Sequence, residues 1–428
     1  MWRRVAILGA LLAAAALPLP GFIASLSFSA SSASAEFDER PSSTREYATI
    51  TRHLRAPFDG YGTFDVLVPQ FGIVALSHMA SGLLNVYFSE PARRDEARGY
   101  LREVSRRALS ASVSPSHTPT GPTTRLDDEN LFWSHLALIL GIDRYVRCAG
   151  APCADEGDQD RVQERLVRHL LARTLASGIF HARSFPGSPM WPADQTVTLL
   201  AIKLYDVTHG TSLHEEPLRG FLGVVRGRAD PRTGLFPSSV SPIENAAVPR
   251  GCAASWSVLY LAQLDAPVAF DQYARERTWL GEDILGVGGF REWPRGRGGG
   301  MNVDSGPIVL GVGVAATGLG LGPAHLFRDE ESYAVIRRTA LLFGVPAWWP
   351  SGGYVAAPLL GEAILFDGRT ARPWFGQTPA SESRTPTPAP IAPLLFTIGD
   401  ALLIAACARE IARALRRWLA ERGGHRSQ

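Results

Sequence analysis

The sequence predicts an all-α protein in which six helical hairpins close into a ring, with an apolar helix at each end of the chain. Three observations predict it. Apolar, small-residue runs alternate with charged amphipathic runs through the middle of the chain. A polar residue marks the start of each apolar run at a near-constant interval. The first and last apolar segments stand outside that rhythm, each beside a cluster of arginines.

The apolar runs cover residues 64–87, 131–145, 197–207, 253–264, 307–321 and 355–366. Charged or mixed runs cover 91–109, 159–175, 215–228, 270–280 and 330–343. A helix that is apolar all round is buried, whereas one with a single apolar stripe lies outside. The alternation therefore implies an inner ring of helices wrapped by an outer one. Asp65, Asp128, Asp194, Cys252, Asp304 and Glu362 mark the inner starts, 52 to 66 residues apart. A period of this size signals stacked helical hairpins. Six of them resemble an (α/α)6 toroid, spanning 58–368 and closing near Asp367.

The ends carry a different signal. Arg3 and Arg4 precede an uncharged apolar stretch from Val5 to Leu26, and Ala33-Ser34-Ala35 follows. A basic start, an apolar stretch and a small-x-small site make a secretory signal. The stretch is also long enough to span a bilayer, so residues 1–35 read as a cleaved signal or a retained anchor. Either way the body is expected outside the cytoplasm, periplasmic or extracellular. Residues 36–57 read as a linker, and 369–390, rich in Pro, Ser and Thr, as a second one. Residues 391–408 form a candidate membrane span followed by a basic tail, 409–428. Asp400 counts against that span, because a carboxylate at mid-bilayer costs about 2.5–3.5 kcal/mol.

Composition narrows the function classes. A net charge of +2 gives no field for nucleic acid, so a glycan or small molecule and the membrane are the expected partners. Positive charge is nearly all arginine, with Lys203 the one lysine, so arginine abundance says little about phosphate binding. Of four cysteines, Cys148 and Cys153 flank a short loop and suit a disulfide in an exported body. No Cys/His pairs have zinc-site spacing, and no metal or cofactor is expected.

Loops leading into the inner helices would cluster at one end of a central cavity, the usual place for a ligand site. Before the third inner run, Trp191 offers a flat apolar wall, and Asp194 either an acid–base group or a helix cap. Before the fourth, Arg250 suits a carboxylate or sulfate. Cys252 there is a packed small side chain or, if exposed at a helix start, a thiol of lowered pKa. The Gly-rich stretch 288–307 carries Glu292, Trp293 and Asp304. Its glycines permit close backbone approach, and it lacks both a phosphate-loop pattern and a preceding strand. Asp194, Glu292 and Asp304 are the expected catalytic carboxylates. His135, a turn into the second inner run, is a proton shuttle or a satisfied core histidine. Tyr61 is expected to line the cavity from the first hairpin.

The pattern over 58–368 resembles the architecture shared by several glycoside hydrolases, polysaccharide lyases and linalool dehydratase/isomerase. The glycosidase resemblance implies carboxylate acid–base work at the cavity end, by Asp194, Glu292 and Asp304. The dehydratase resemblance implies polar groups and cysteine around an apolar cavity, with His135, Asp194 and Cys252 in those parts. The resemblance is one of architecture, which does not fix chemistry. The expectation is an exported, membrane-tethered enzyme, a hydrolase or lyase on a glycan-like substrate. The alternatives are a dehydratase or isomerase on an apolar alcohol and a non-catalytic module of a membrane assembly.

Overall fold

A computed structural model describes residues 2–68, 70–110, 120–155, 157–241, 247–347, 352–381 and 387–424. The chain begins with α1 (Trp2–Ala16), α2 (Leu19–Ser27) and α3 (Ala30–Phe37). Then come α4 (Arg45–Arg55), the short α5 (Thr63–Val66), α6 (Phe71–Ser89), α7 (Arg94–Ala108) and α8 (Asn130–Arg147). Next are α9 (Asp158–Ala176), α10 (Pro192–His209), α11 (Glu215–Gly227), α12 (Gly251–Leu264) and α13 (Ala266–Leu280). Two small antiparallel hairpins follow, β1 (Gly281–Ile284) with β2 (Val287–Phe290) and β3 (Ile308–Val309) with β4 (Val312–Gly313). The last helices are α14 (Val314–Leu326), α15 (Glu330–Gly344), α16 (Leu359–Thr370) and α17 (Ile391–Gly424).

The even-numbered helices from α6 to α16 form the inner ring. Each packs on the next, and α16 packs back on α6, so the ring is closed. Hydropathy decides the placement: every residue from Gly72 to Tyr87 in α6, and from Asn130 to Arg144 in α8, is buried. Helices apolar on all sides have no stable place but the interior. The outer helices bury one stripe, as α7 does with Ala97, Leu101, Val104 and Ala108. The fold is the (α/α)6 toroid.

Small residues set how closely the inner helices approach. A Cβ on Gly82 would meet the Phe366 ring at 2.4 Å, across the α6–α16 contact that closes the ring. On Gly322 it would meet Leu259 at 2.6 Å, between α14 and α12.

The sixth outer helix comes from an unexpected place. It is α4, inside residues 36–57, which the sequence suggested were a linker; it packs on α16 and α7. Each hairpin therefore runs from an outer to an inner helix, beginning with α4. Polarity explains the misreading, since α4 carries three Arg, two Thr, a Glu and a His, and its apolar stripe is only Tyr47, Ile50 and Leu54. Arg107, fully buried in α7, secures it by donating to the carbonyls of Leu54 and Ala56, each at 2.8 Å. Those are helix-end carbonyls that otherwise lack partners. The start markers are also looser than the spacing suggested. Asp304 lies ten residues before α14, beyond the β3–β4 hairpin.

The N-terminal segment is part of the body. Phe28, Ala33 and Phe37 belong to the main core, and Ala33 is fully buried. Glu36 binds Arg337 at 2.8 Å and Arg369 at 2.9 Å, and accepts from Tyr333. Burial alone would raise its pKa, but the two arginines outweigh burial and hold the carboxyl at about 2. Cys148 and Cys153 are joined as a disulfide, with Cα atoms 5.6 Å apart.

Among the described residues, three helical segments are long and apolar enough to cross a membrane: Val5–Ser27, Phe71–Ser89 and Ile391–Ala414. The middle one is the inner helix α6. The outer two pack together, α1 and α2 both lying on α17, with the Phe22 and Phe396 rings 5.7 Å apart. On α17 the less exposed positions are Ala392, Pro393, Thr397, Asp400, Ile404, Cys407, Ile411, Ala412 and Ala414, and a four–three series runs through them from Pro393 to Ala414. Alternating steps of four and three are the seam of two paired helices. Asp400 lies in that seam, whereas Leu402 is 67% exposed. The carboxylate that spoke against a span is thus turned away from the outer surface.

Candidate active site

The N-terminal ends of the inner helices surround a central face, here termed the cup, that is not fully covered. Trp256 and Gly318 lie more than a turn inside α12 and α14, yet both remain partly accessible. The walls come from the loops before α10, α12 and α14. Beneath the walls, a set of buried aromatic and imidazole rings fills the centre of the inner helices; Tyr260 and Asp367 of that set line a cavity of about 10 Å³ with Gln263, Arg372 and Trp374.

Asp194 stands at the rim. Pro192 fixes the first turn of α10, and Asp194 follows it, partly accessible but enclosed on most sides. Its carboxylate does not cap the helix. It accepts from the hydroxyl of Ser184, whose carbonyl accepts the Leu131 N–H at the start of α8. Burial pushes the Asp194 pKa up to about 7, the Ser184 hydrogen bond opposes that, and the Asp304 charge adds to it. Asp304 itself is exposed, in a turn held by Asn302.

Glu292 has a different job from the one its sequence suggested. It is fully buried and ion-paired to Arg250 Nε at 2.8 Å. It also accepts from the Cys252 backbone N–H at 3.2 Å and from the Cys252 thiol at 3.1 Å. A carboxylate at a helix start satisfies free N–H groups and suits the helix dipole. Glu292 therefore anchors the Gly-rich loop to the start of α12 and has no free oxygen facing the cup. Arg250 is committed too: Nη2 donates to Asn302 at 2.8 Å, and the guanidinium lies 5.3 Å from the Trp293 ring centre. Burial, with Glu292 alongside, pushes the Cys252 thiol well above its usual range. The lowered pKa that exposure at a helix start would have given does not apply. The loop is also preceded by strands, β1 and β2, where none was expected.

Trp191 is half-buried at the rim, edge-on to Phe185. Tyr61 lies elsewhere. It stacks on His53 of α4 at 5.6 Å, and its hydroxyl points to Met79, between the outer helices and α6 rather than in the cup.

These central rings were not legible from the loops. His135 of α8 and Ser77 of α6 are 2.7 Å apart, and Ser77 also donates to the Val74 carbonyl at 2.8 Å. Burial lowers the His135 pKa to about 3, with His78 adding to the effect, so the ring is neutral. Beside it, His78 Nδ1 lies 2.8 Å from Asp367 Oδ2, both groups buried. Burial raises the Asp367 pKa and His78 opposes the rise. Trp256 meets His135 at 5.7 Å and His78 at 6.0 Å, and Tyr260 lies 6.3 Å from both His78 and Trp256. The signal that points to these residues is a histidine, and an aspartate, inside otherwise apolar runs. Cavities at the other end of the ring include one of about 260 Å³ lined by Asp38, Arg328, Arg369 and Arg372.

The fold is an all-α toroid, and Asp194, a carboxyl of raised pKa, stands at one end of it. No family model matches the chain, and no curated protein matches it. Among solved structures, a polysaccharide lyase aligns over 79% of this chain and 96% of its own, at 12% identity and a TM-score of 0.46.

Proposed function

We propose that this protein is a membrane-tethered acid–base enzyme that cleaves a linkage in a glycan-like, hydroxylated substrate held in the cup. One observation carries the reading: Asp194, reached by solvent at the rim, has its pKa raised to about 7 by burial and by Asp304. A carboxyl poised near neutral pH is what proton transfer to or from a leaving oxygen needs. Asp304 is the second carboxylate of the pair, and the half-buried Trp191 and Trp293 offer flat walls for a sugar face. Hydrolysis and elimination share this requirement. Nothing in the geometry favours a cysteine-dependent dehydratase, since the Cys252 thiol is buried against Glu292.

The tether follows from the paired terminal helices. Arg3 and Arg4 begin α1, while Arg409, Arg413 and Arg416 lie toward the far end of α17. Because α17 starts beside α2 and runs back along α1, these arginines share one end of the pair. Arginines collect on the cytoplasmic side, which puts the toroid on the opposite face.

The test is turnover by the detergent-solubilised full chain on neutral and uronate polysaccharides, reading new reducing ends and unsaturated sugar products. Asp194→Asn is expected to remove at least 99% of the activity, a loss of about 10²-fold or more typical of an acid–base group. An Asp194→Asn protein that kept full activity would sink this assignment. A chain inert on every polysaccharide yet bound to a stable partner would favour the non-catalytic role.

A further inference from the structure

Outside α1, α2 and α17, the described residues include ten exposed large apolar side chains, and all ten stand at the Asp194 end of the ring. Five of them, Leu285, Met301, Val303, Val309 and Leu310, belong to the connection from α13 to α14. Leu67 and Val355 lie in the connections into α6 and α16, and Val314 opens α14. Leu175 and Phe343 lie in the last turns of the outer helices α9 and α15, which finish at this end. Among the described residues, the connections at the opposite end carry none. Exposed apolar residues scattered singly are ordinary, whereas a set confined to one face marks an interaction surface.

Two of these residues sit where the backbone favours something else. Leu285-Gly286 turns β1 into β2, and Leu310-Gly311 turns β3 into β4. Both residues of each turn have positive φ, +56° and +93° in the first, +52° and +89° in the second. Such tight hairpin turns favour Asn, Asp or Gly at both places, and a branched side chain is disfavoured there. Yet both tips present leucine, and Leu310 is 74% exposed. Segment 298–314 around the second tip carries a single charged residue, Asp304.

The terminal helices leave the body at this same end. Gly21 of α2 lies against Leu341 and Val345 near the end of α15, and Ser25 donates to the Arg338 carbonyl further back. α2 thus runs antiparallel to α15, and α1, which precedes it, continues past the end of α15. α17 starts beside it: the Ala392 N–H donates to the Leu285 carbonyl at 2.8 Å. The Phe396 ring of α17 then meets the exposed Phe343 at 6.3 Å. Both apolar segments are mostly exposed, and they pack along each other. A bilayer that holds them meets the ring at its Asp194 end, and Phe343 joins the apolar surface of α17 to that of the ring.

We propose that this end of the ring rests on the bilayer surface, with Leu285, Leu310 and Met301 set into the headgroup–acyl boundary. The cup then opens onto the headgroup layer, and the glycan-like substrate meets Asp194 at the membrane surface. The leucine tips supply apolar area for insertion, and the scarcity of charge around the second tip keeps the desolvation cost low. The inference rests on the reading of the terminal helices as a tether and of this end as the substrate site.

The experiment is nitroxide power saturation on the full chain in vesicles of phosphatidylcholine with phosphatidylglycerol, using oxygen as the lipid-soluble relaxer and a nickel chelate as the aqueous one. Single labels go on Met301→Cys and Leu310→Cys, on Leu402→Cys as the report on the tether, and on Ser212→Cys at the opposite end. The free thiols Cys252 and Cys407 are buried, and the parent protein is the labelling blank. Labels at Met301 and Leu310 are expected about 5–10 Å into the headgroup–acyl boundary, the depth of an interfacial apolar face, and the Ser212 label in water. Leu285→Asn with Leu310→Asn installs a residue that the turns accept, so the fold is kept, and the Met301 label is expected to lose that depth. Met301 and Leu310 labels as open to nickel as Ser212, with Leu402 in lipid, overturn the proposal and leave the tether standing. Labels shielded from both relaxers mean that protein covers this face, which also overturns it, as does a Met301 depth unchanged by the paired asparagines. A Leu402 label in water refutes the tether, and the proposal with it. Asp194→Asn is expected to leave every depth unchanged, so the acid–base assignment stands or falls on turnover alone.

Discussion

In the proposed mechanism, Asp194 sets the pH at which the enzyme works. Its carboxyl is protonated below about pH 7 and ionised above it. As a general acid it loses function as pH rises through that value, and as a general base it loses function as pH falls through it. The pH profile of kcat/KM should therefore bend near 7 on one side, and Asp194→Asn should erase that bend. Glu292 belongs to a different class of residue. Replacing it by Gln leaves Arg250 and the start of α12 without their shared carboxylate, a buried pair broken from one side. The expected loss is about 3 kcal/mol of stability, read by denaturant unfolding, with little direct effect on the bound substrate. This is also where the sequence was least legible. Asp194, Glu292 and Asp304 look alike in a string of letters. What separates them is burial and the partner each finds, and those are set by loops from different hairpins.

The inner helices show what a pattern of apolar residues can and cannot say. Helices buried on every side announce themselves, and all six could be found from hydropathy. Which of their buried positions faces the axis could not, because a helix apolar all round has no polar face to set its rotation. His78 and Tyr260 were hidden for that reason. The polar α4 was hidden for the opposite one, with too few apolar residues to stand out from a linker. The close α6–α16 contact yields a direct test. Gly82→Ala gains roughly 1 kcal/mol of helix propensity. Its Cβ, however, lands 2.4 Å from the ring of Phe366, which is itself fully buried. Overpacking of this kind costs about 1–3 kcal/mol, so a net loss near 1 kcal/mol is expected, measured as a lower Tm.

Across the whole molecule, buried carboxyls tie stability to pH. Burial raises Glu276 to about 8, against the hydrogen bond from Ser255, and burial raises Glu362 to about 7. A carboxyl whose folded pKa is raised binds its proton more tightly in the native state. Its contribution is present at low pH and is lost as pH climbs from the unfolded value, about 4.3, toward the folded one. Glu36, held at about 2, works the other way, and its contribution is lost as pH falls below about 4. Thermal stability should peak in mildly acidic buffer and fall toward pH of about 8, with a shallower fall in Glu276→Gln when followed by calorimetry. The N-terminal segment makes a further prediction. Ser25 is fully buried and donates to the Arg338 carbonyl, and Arg338 Nε donates to the Phe28 carbonyl at 2.8 Å. Cutting after Ala35 would strip these groups and two core side chains from the body. Mass spectrometry of the membrane-extracted protein should find α1 to α3 still attached; a mature chain starting at Glu36 would contradict this. The pairing of α1 and α2 with α17 then has a mechanical meaning. A ring sealed by its first and last inner helices must bring together residues nearly 290 apart, His78 and Asp367 among them. Joining the ends of so long a chain costs about 5 kcal/mol of entropy. Two terminal helices packed on one another act as a clasp, delivering both ends of the belt to the buckle before it is fastened.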